Sequence, residues 1–174
     1  MKNILIILIL VFAITTANAQ GSVKKSRKEL KAEKLSQQKE VVKKLIEGKS
    51  FVFDAKTVFS SLAGSITTTY PYNVRVDNDS IYSFLPYYGR AYIAEYGSIE
   101  SPMVFNLPIE EITIEKKNKN GYQVNVKVKK AMDIIDFYFD ISETGMTTLT
   151  VNSTNRQIIY YYGDLTDKKD VDNG

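Results

Sequence analysis

Gly121-Tyr122-Gln123-Val124-Asn125-Val126-Lys127-Val128 alternates apolar and polar residues without a break. A period of two places Tyr122, Val124, Val126 and Val128 on one face of a strand and Gln123, Asn125 and Lys127 on the other. Ile112 and Ile114 repeat the pattern just upstream, and the polar stretch from Lys116 to Asn120 joins the two, so the pair reads as a β-hairpin. The same period continues downstream. Ile135, Phe137, Phe139 and Ile141 form a strand, Ser142-Glu143-Thr144-Gly145 turns it, and Leu149 and Val151 return. A last turn at Asn152 to Asn155 leads to Ile158, Tyr160 and Tyr162. Upstream, Phe51, Phe53 and Ala55 alternate with Val52, Asp54 and Lys56, and Tyr72, Val74 and Val76 run to an Asp77-Asn78-Asp79 turn before Ser80-Ile81-Tyr82. Strands with one apolar and one polar face predict an antiparallel sheet, covered on one side and solvated on the other. One strand set precedes Pro102 and another follows Pro108, which suggests two sheet halves.

The cover is expected from the only long helical pattern. Ser26-Arg27-Lys28-Glu29 matches a capping box, in which the serine and glutamate side chains each accept from a free backbone N–H. Leu35, Val41, Val42, Leu45 and Ile46 follow at helical spacing, and Gly48 offers a left-handed stop. The fold class is therefore α+β, one N-terminal helix packed on a mostly antiparallel sheet. Residues 20–49 form a basic segment and helix, residues 50–165 the β-rich body of a single domain, and residues 166–174 a tail expected to be disordered from its Asp- and Lys-rich, aperiodic composition.

Residues 1–19 read as a secretory signal peptide: Lys2, an apolar run from Ile4 to Ile14, then Ala17-Asn18-Ala19 with small residues where a signal peptidase cuts. The run is far shorter than the roughly 20 residues of a membrane-spanning helix, so no transmembrane anchor is expected after cleavage. With no cysteine at the cleavage point the chain is not a lipoprotein, and the mature protein is expected in the periplasm or outside the cell. Zero cysteine and zero histidine exclude a thiol nucleophile, a histidine-dependent triad and the usual zinc or haem ligands, and no cofactor is implied.

Charge is divided unevenly. Residues 24–49 carry ten Lys or Arg against four Glu, and residues 50–174 carry twelve basic against sixteen acidic residues. The basic arm has no aromatic residue to stack on bases, so a solvated helix is read there in preference to a nucleic-acid partner, with contact to anionic envelope surfaces as the alternative.

The residues left for function are aromatic. Between Ser80 and Tyr96 stand five tyrosines with Phe84 and Arg90. Tyr87, Tyr88, Arg90 and Tyr92 are candidates for a binding surface, because rings and arginine dominate interface hot spots and rings also stack on sugars. The structural alternative has Tyr88 and Tyr92 plugging the sheet edge, with Gly89 at a positive φ. Asn155 and Arg156 offer the same choice: a turn whose arginine pairs with a carboxylate, or a polar element beside Tyr160, Tyr161 and Tyr162. Asp77-Asn78-Asp79-Ser80 supplies oxygens but lacks the glycine and distal glutamate of a calcium loop. Asp79-Ser80-Ile81 also resembles the O-glycosylation signal of exported Bacteroidetes proteins, with Ser80 the acceptor and a plain turn the alternative. Carboxylate pairs for hydrolysis are available only from Glu110 and Glu111 or from Asp133, Asp136 and Asp140.

Phe51-Val52-Phe53-Asp54-Ala55, Asp79-Ser80 with Leu85-Pro86-Tyr87-Tyr88-Gly89-Arg90-Ala91-Tyr92, and Ser153-Thr154-Asn155-Arg156-Gln157-Ile158 ending in Tyr161-Tyr162-Gly163 together resemble the domain-of-unknown-function family 4251, small secreted proteins of Bacteroidetes. The resemblance spans roughly residues 26–165. It implies a β-lactamase-inhibitor-like helix-plus-sheet unit of a kind that often binds other proteins, and it carries no catalytic residue. A non-catalytic envelope binding module with a protein or glycan partner is the expectation. An inhibitor of an envelope enzyme and a carboxylate-dependent glycan hydrolase are the alternatives.

Overall fold

A computed structural model describes residues 26–93, 101–118 and 121–167. The signal-peptide reading of residues 1–19 and the tail from residue 168 lie outside these described residues. The chain divides into two compact units, Met1–Glu33 and Lys34–Gly174. In the first, helix α1 (Arg27–Glu47) starts on the expected capping box: Ser26 N–H donates to Glu29 Oε2 at 2.8 Å and Glu29 N–H to Ser26 Oγ at 3.2 Å.

In the second unit, α1 buries only Val42 and Ile46, with Leu45 half-buried. Leu35 and Val41, expected on the same face, are exposed. Val41 lies about 100° round the helix from Val42, and Leu35 sits two turns before it, ahead of the stretch that meets the sheet. The stop differs too. The left-handed residue is Lys49, at φ 49°, one position after Gly48. Gly48 is instead needed for closeness, since a Cβ there would stand 3.0 Å from the Lys44 carbonyl oxygen.

Nine strands follow: β1 (Ser50–Ser60), β2 (Gly64–Asp77), β3 (Ser80–Phe84), β4 (Val104–Pro108), β5 (Glu111–Lys116), β6 (Gly121–Lys130), β7 (Asp133–Ser142), β8 (Met146–Ser153) and β9 (Arg156–Thr166). They form one antiparallel sheet in the order β4-β3-β2-β1-β9-β8-β7-β6-β5. The two sheet halves expected on either side of Pro102 and Pro108 are therefore continuous. The strand register of the opening hairpin is as its alternation predicts, with Ile112 opposite Val126 and Ile114 opposite Val124. The strand β9 runs to Thr166, one residue into the expected tail, because Leu165 is buried opposite Phe53.

The sheet curls strongly. Strands β4 and β5 are its two edges, yet only Ile109 and Glu110 join them, so the edges must approach each other. Ring contacts confirm this. Phe105 on β4 and Phe137 on β7 stand six places apart, roughly 29 Å in a flat sheet, but their centroids are 6.1 Å apart. Phe51 on β1 meets Phe139 on β7, three places away, edge to face at 5.4 Å. The apolar face of the sheet is thus covered largely by its own opposite half, and the helix closes one end, where Lys39 pairs with Glu143 in the β7–β8 turn. The end of β1, the beginnings of β7 and β9 and the segment after β3 gather at the other.

Candidate functional site

The chain leaving β3 is held at that second end by a series of backbone bonds. Leu85 is fully buried and its carbonyl accepts from Ser101 Oγ at 2.7 Å. The Pro86 carbonyl accepts from the Tyr161 hydroxyl at 2.7 Å, and the Tyr88 carbonyl from Ser60 Oγ at 2.6 Å. The Tyr87 hydroxyl lies 2.8 Å from the Gln157 carbonyl and 3.0 Å from that of Arg90, sharing its one proton between them. Gln157 N–H donates to the Arg90 carbonyl at 2.9 Å and Tyr92 N–H to that of Asn155 at 2.8 Å, so Ala91 lies beside Arg156 as a one-residue bridge. The loop is in effect a short extra pairing on the start of β9.

Gly89 does not have the positive φ expected of it. What it supplies is room, because a Cβ there would stand 2.5 Å from the Tyr87 hydroxyl oxygen. Burial raises the Tyr87 phenol pKa, with the neighbouring Arg156 charge working against the shift. Tyr161, fully enclosed, has its phenol pushed well above the ordinary value of 10.0 by burial.

Beneath the loop lies a buried ion pair. Arg156 is only 4% exposed and Asp133 1%, and Arg156 Nη1 reaches Asp133 Oδ2 at 2.7 Å. Asp133 also accepts from Ser153 Oγ and Thr154 Oγ1 at 2.8 Å and from Asn155 N–H at 3.2 Å. Arg156 is therefore not part of an exposed surface. Of the two readings open for it, the arginine that pairs with a carboxylate is the one realised, since an unpaired guanidinium at this depth would cost several kcal/mol. Asn155 is half-buried and serves the loop through its carbonyl.

Tyr88, Arg90 and Tyr92 face water, as does Ile93, while Tyr87 is half-buried. Beside them is an apolar cleft of about 370 Å³ lined by Tyr72, Phe84, Leu85, Pro86, Tyr87 and Val104, within the usual size range of small-ligand pockets. A wide bulge in β2, where Thr68 to Pro71 face only Lys56 of β1, carries Tyr70 against two of the lining rings, Tyr72 at 5.4 Å and Phe84 at 5.8 Å. The cleft was not anticipated, and Asp133, considered only among carboxylates for hydrolysis, was not read as the partner of Arg156. The signal for Asp133 was parity: it stands two residues before Ile135 and so faces inward with it.

The other candidates fall elsewhere. Ser80 is the first residue of β3, half-buried and paired with Asp77 and Pro108 on either side, so it lies within the sheet and not at the tip of the turn. Asp77 accepts from Ser50 Oγ, and no cluster of acidic residues suited to a metal occurs among the described residues. Asp136 and Asp140 share the outward face of β7, about 13 Å apart along the strand, which exceeds the separation of a glycosidase carboxylate pair.

A family model for a domain of unknown function, DUF4251, matches residues 33–165, which contain the loop, the ion pair and the cleft. The chain belongs to the DUF4251 family. The fold is similar to that in a crystal structure of a DUF4251 family protein from Bacteroides eggerthii DSM 20697, with a TM-score of 0.57 and 11% identity over 77% of this chain and 90% of that one. At that identity the likeness concerns the fold of DUF4251 domains alone. No curated protein matches the chain. Among the described residues no helix is long and apolar enough to cross a membrane.

Proposed function

We propose that this DUF4251 protein is an exported, non-catalytic binding module of the periplasm or cell surface, with a β-lactamase-inhibitor-like helix-plus-sheet design. The Leu85 to Tyr92 loop is its recognition element. The observation that carries this reading is the contrast within the loop: its backbone is fixed by bonds to β9, while Tyr88, Arg90 and Tyr92 present their side chains to water. A loop already ordered loses little entropy on binding, and tyrosine and arginine are the side chains that yield most at an interface. Asp133, Asn155 and Arg156 act behind it as its support. The partner is a protein or a glycan; if it is an envelope enzyme, the outcome of binding is inhibition.

The test is capture from native envelope extract. Wild-type protein should retain a specific partner that the folded triple variant Tyr88→Ala, Arg90→Ala, Tyr92→Ala does not. Identical catches would refute the loop as the site. Export is checked separately by N-terminal sequencing of protein from its native host, which should begin near Gln20.

A further inference from the structure

The run Ile158-Ile159-Tyr160-Tyr161-Tyr162 is apolar at every position, and its alternate members face opposite ways. Ile159 and Tyr161 are buried inside the sheet; Ile158 and Tyr162 are exposed at 40% and 45% on the outside, with Tyr160 between them partly exposed. Register places these outward residues in rows across the strands. One row is Phe59, Tyr160, Thr150, Tyr138 and Asn125; the next is Thr57, Tyr162, Thr148 and Asp140. Phe59 and Tyr138 are exposed at 42% and 38%. A groove of about 610 Å³ follows the second row.

We infer that this outward face of β1, β9, β8 and β7 is a second binding surface, distinct from the loop, and that its ligand is an extended, uncharged β-linked glycan. Three observations specify that chemistry. In the first row Thr150 stands between Tyr160 and Tyr138, and in the second Tyr162 stands between Thr57 and Thr148, so flat apolar faces lie beside hydroxyls that both donate and accept, as a pyranose chain requires of its site. Tyr160 and Tyr138 are two strand spacings apart, about 10 Å, which is the span of two sugar units in an extended chain. Three lysines bordering the face are already paired, Lys56 with Asp164, Lys117 with Asp140 and Lys127 with Glu111, and Asp136 adds a carboxylate on β7, which together disfavour a polyanion. Those same pairs argue against a second copy of the chain as the occupant, since closing two such faces together would desolvate them.

The test is binding of cellohexaose, chitohexaose, xylohexaose and mannohexaose to the full mature protein, measured by titration calorimetry, with polygalacturonate as the charged comparison. At least one neutral hexasaccharide should bind, Tyr138→Ala and Tyr160→Ala should each weaken it about tenfold, and Tyr160→Phe and the Tyr88→Ala, Tyr92→Ala variant should leave it unchanged. Thermal melts establish that each variant is folded. Failure of all four hexasaccharides at millimolar concentration overturns the inference, as does preference for polygalacturonate, loss of binding in the loop variant alone, or a dimer in sedimentation that Tyr160→Ala dissolves.

Discussion

The curled sheet has two ends, and they are closed by different chemistry. At the helix end Val42 and Ile46 enter an apolar core, and the fit is one of shape. At the loop end the seal is a buried aspartate–arginine pair with two hydroxyls and a backbone N–H, and the loop above is tied on by carbonyls. Apolar packing tolerates small shifts of the helix. A buried charge pair does not tolerate a shift, because each lost bond leaves a desolvated charge. The difference explains how an irregular loop, with water on one side, keeps one conformation.

The largest effect expected from breaking this contrast is at the ion pair. Arg156→Ala leaves Asp133 charged and enclosed and should cost about 3–5 kcal/mol in urea unfolding, whereas Asp133→Leu with Arg156→Met should recover most of that loss. At the helix end Ile46→Ala should cost about 2–4 kcal/mol and leave the loop in place. Tyr161→Phe removes one bond, to the Pro86 carbonyl, and should cost about 1 kcal/mol. It also tests the pH dependence. Burial raises the Tyr161 pKa in the fold, so its contribution is fully present below 10.0 and is lost as pH climbs through the folded value. Wild type should therefore lose melting temperature above pH 10.0 more steeply than Tyr161→Phe. The smallest effect is at the water-facing rings: Tyr88→Ala and Tyr92→Ala should each change stability by no more than about 0.5 kcal/mol.

Period-two patterning made the hairpins at Ile112 to Val128 and Ile135 to Val151 legible, and the capping box located the helix start. One strand and the first half of another were missed for identifiable reasons. The first half of β2 is Ser65-Ile66-Thr67-Thr68-Thr69, with hardly an apolar residue to set a face, and β4 lies between two prolines. The curl depends on a two-residue link between the edges of the sheet, which no local pattern encodes. The face read for the last strand, Ile158, Tyr160 and Tyr162, is the outward one, and Ile159 and Tyr161 are buried instead, because every position from Ile158 to Tyr162 is apolar and periodicity cannot choose between them. Pairing with β8, through Leu149 opposite Tyr161 and Thr150 opposite Tyr160, makes that choice. At the candidate site the exposed members Tyr88, Arg90 and Tyr92 were identified from composition, but for Arg156 both a surface role and a carboxylate-paired one stayed open, because its partner lies 23 residues away.

Hydrogen exchange at named amides tests most directly whether the ion pair holds the loop. Tyr92 and Gln157 report on the loop end, and Leu165, bonded to the Gly145 carbonyl at 2.8 Å, reports on the helix end. In the Asp133→Leu, Arg156→Met variant, exchange at Tyr92 and Gln157 should accelerate at least tenfold while Leu165 keeps its wild-type rate. Unchanged protection at Tyr92 and Gln157, or equal acceleration at Leu165, would contradict the claim that this pair fixes the loop.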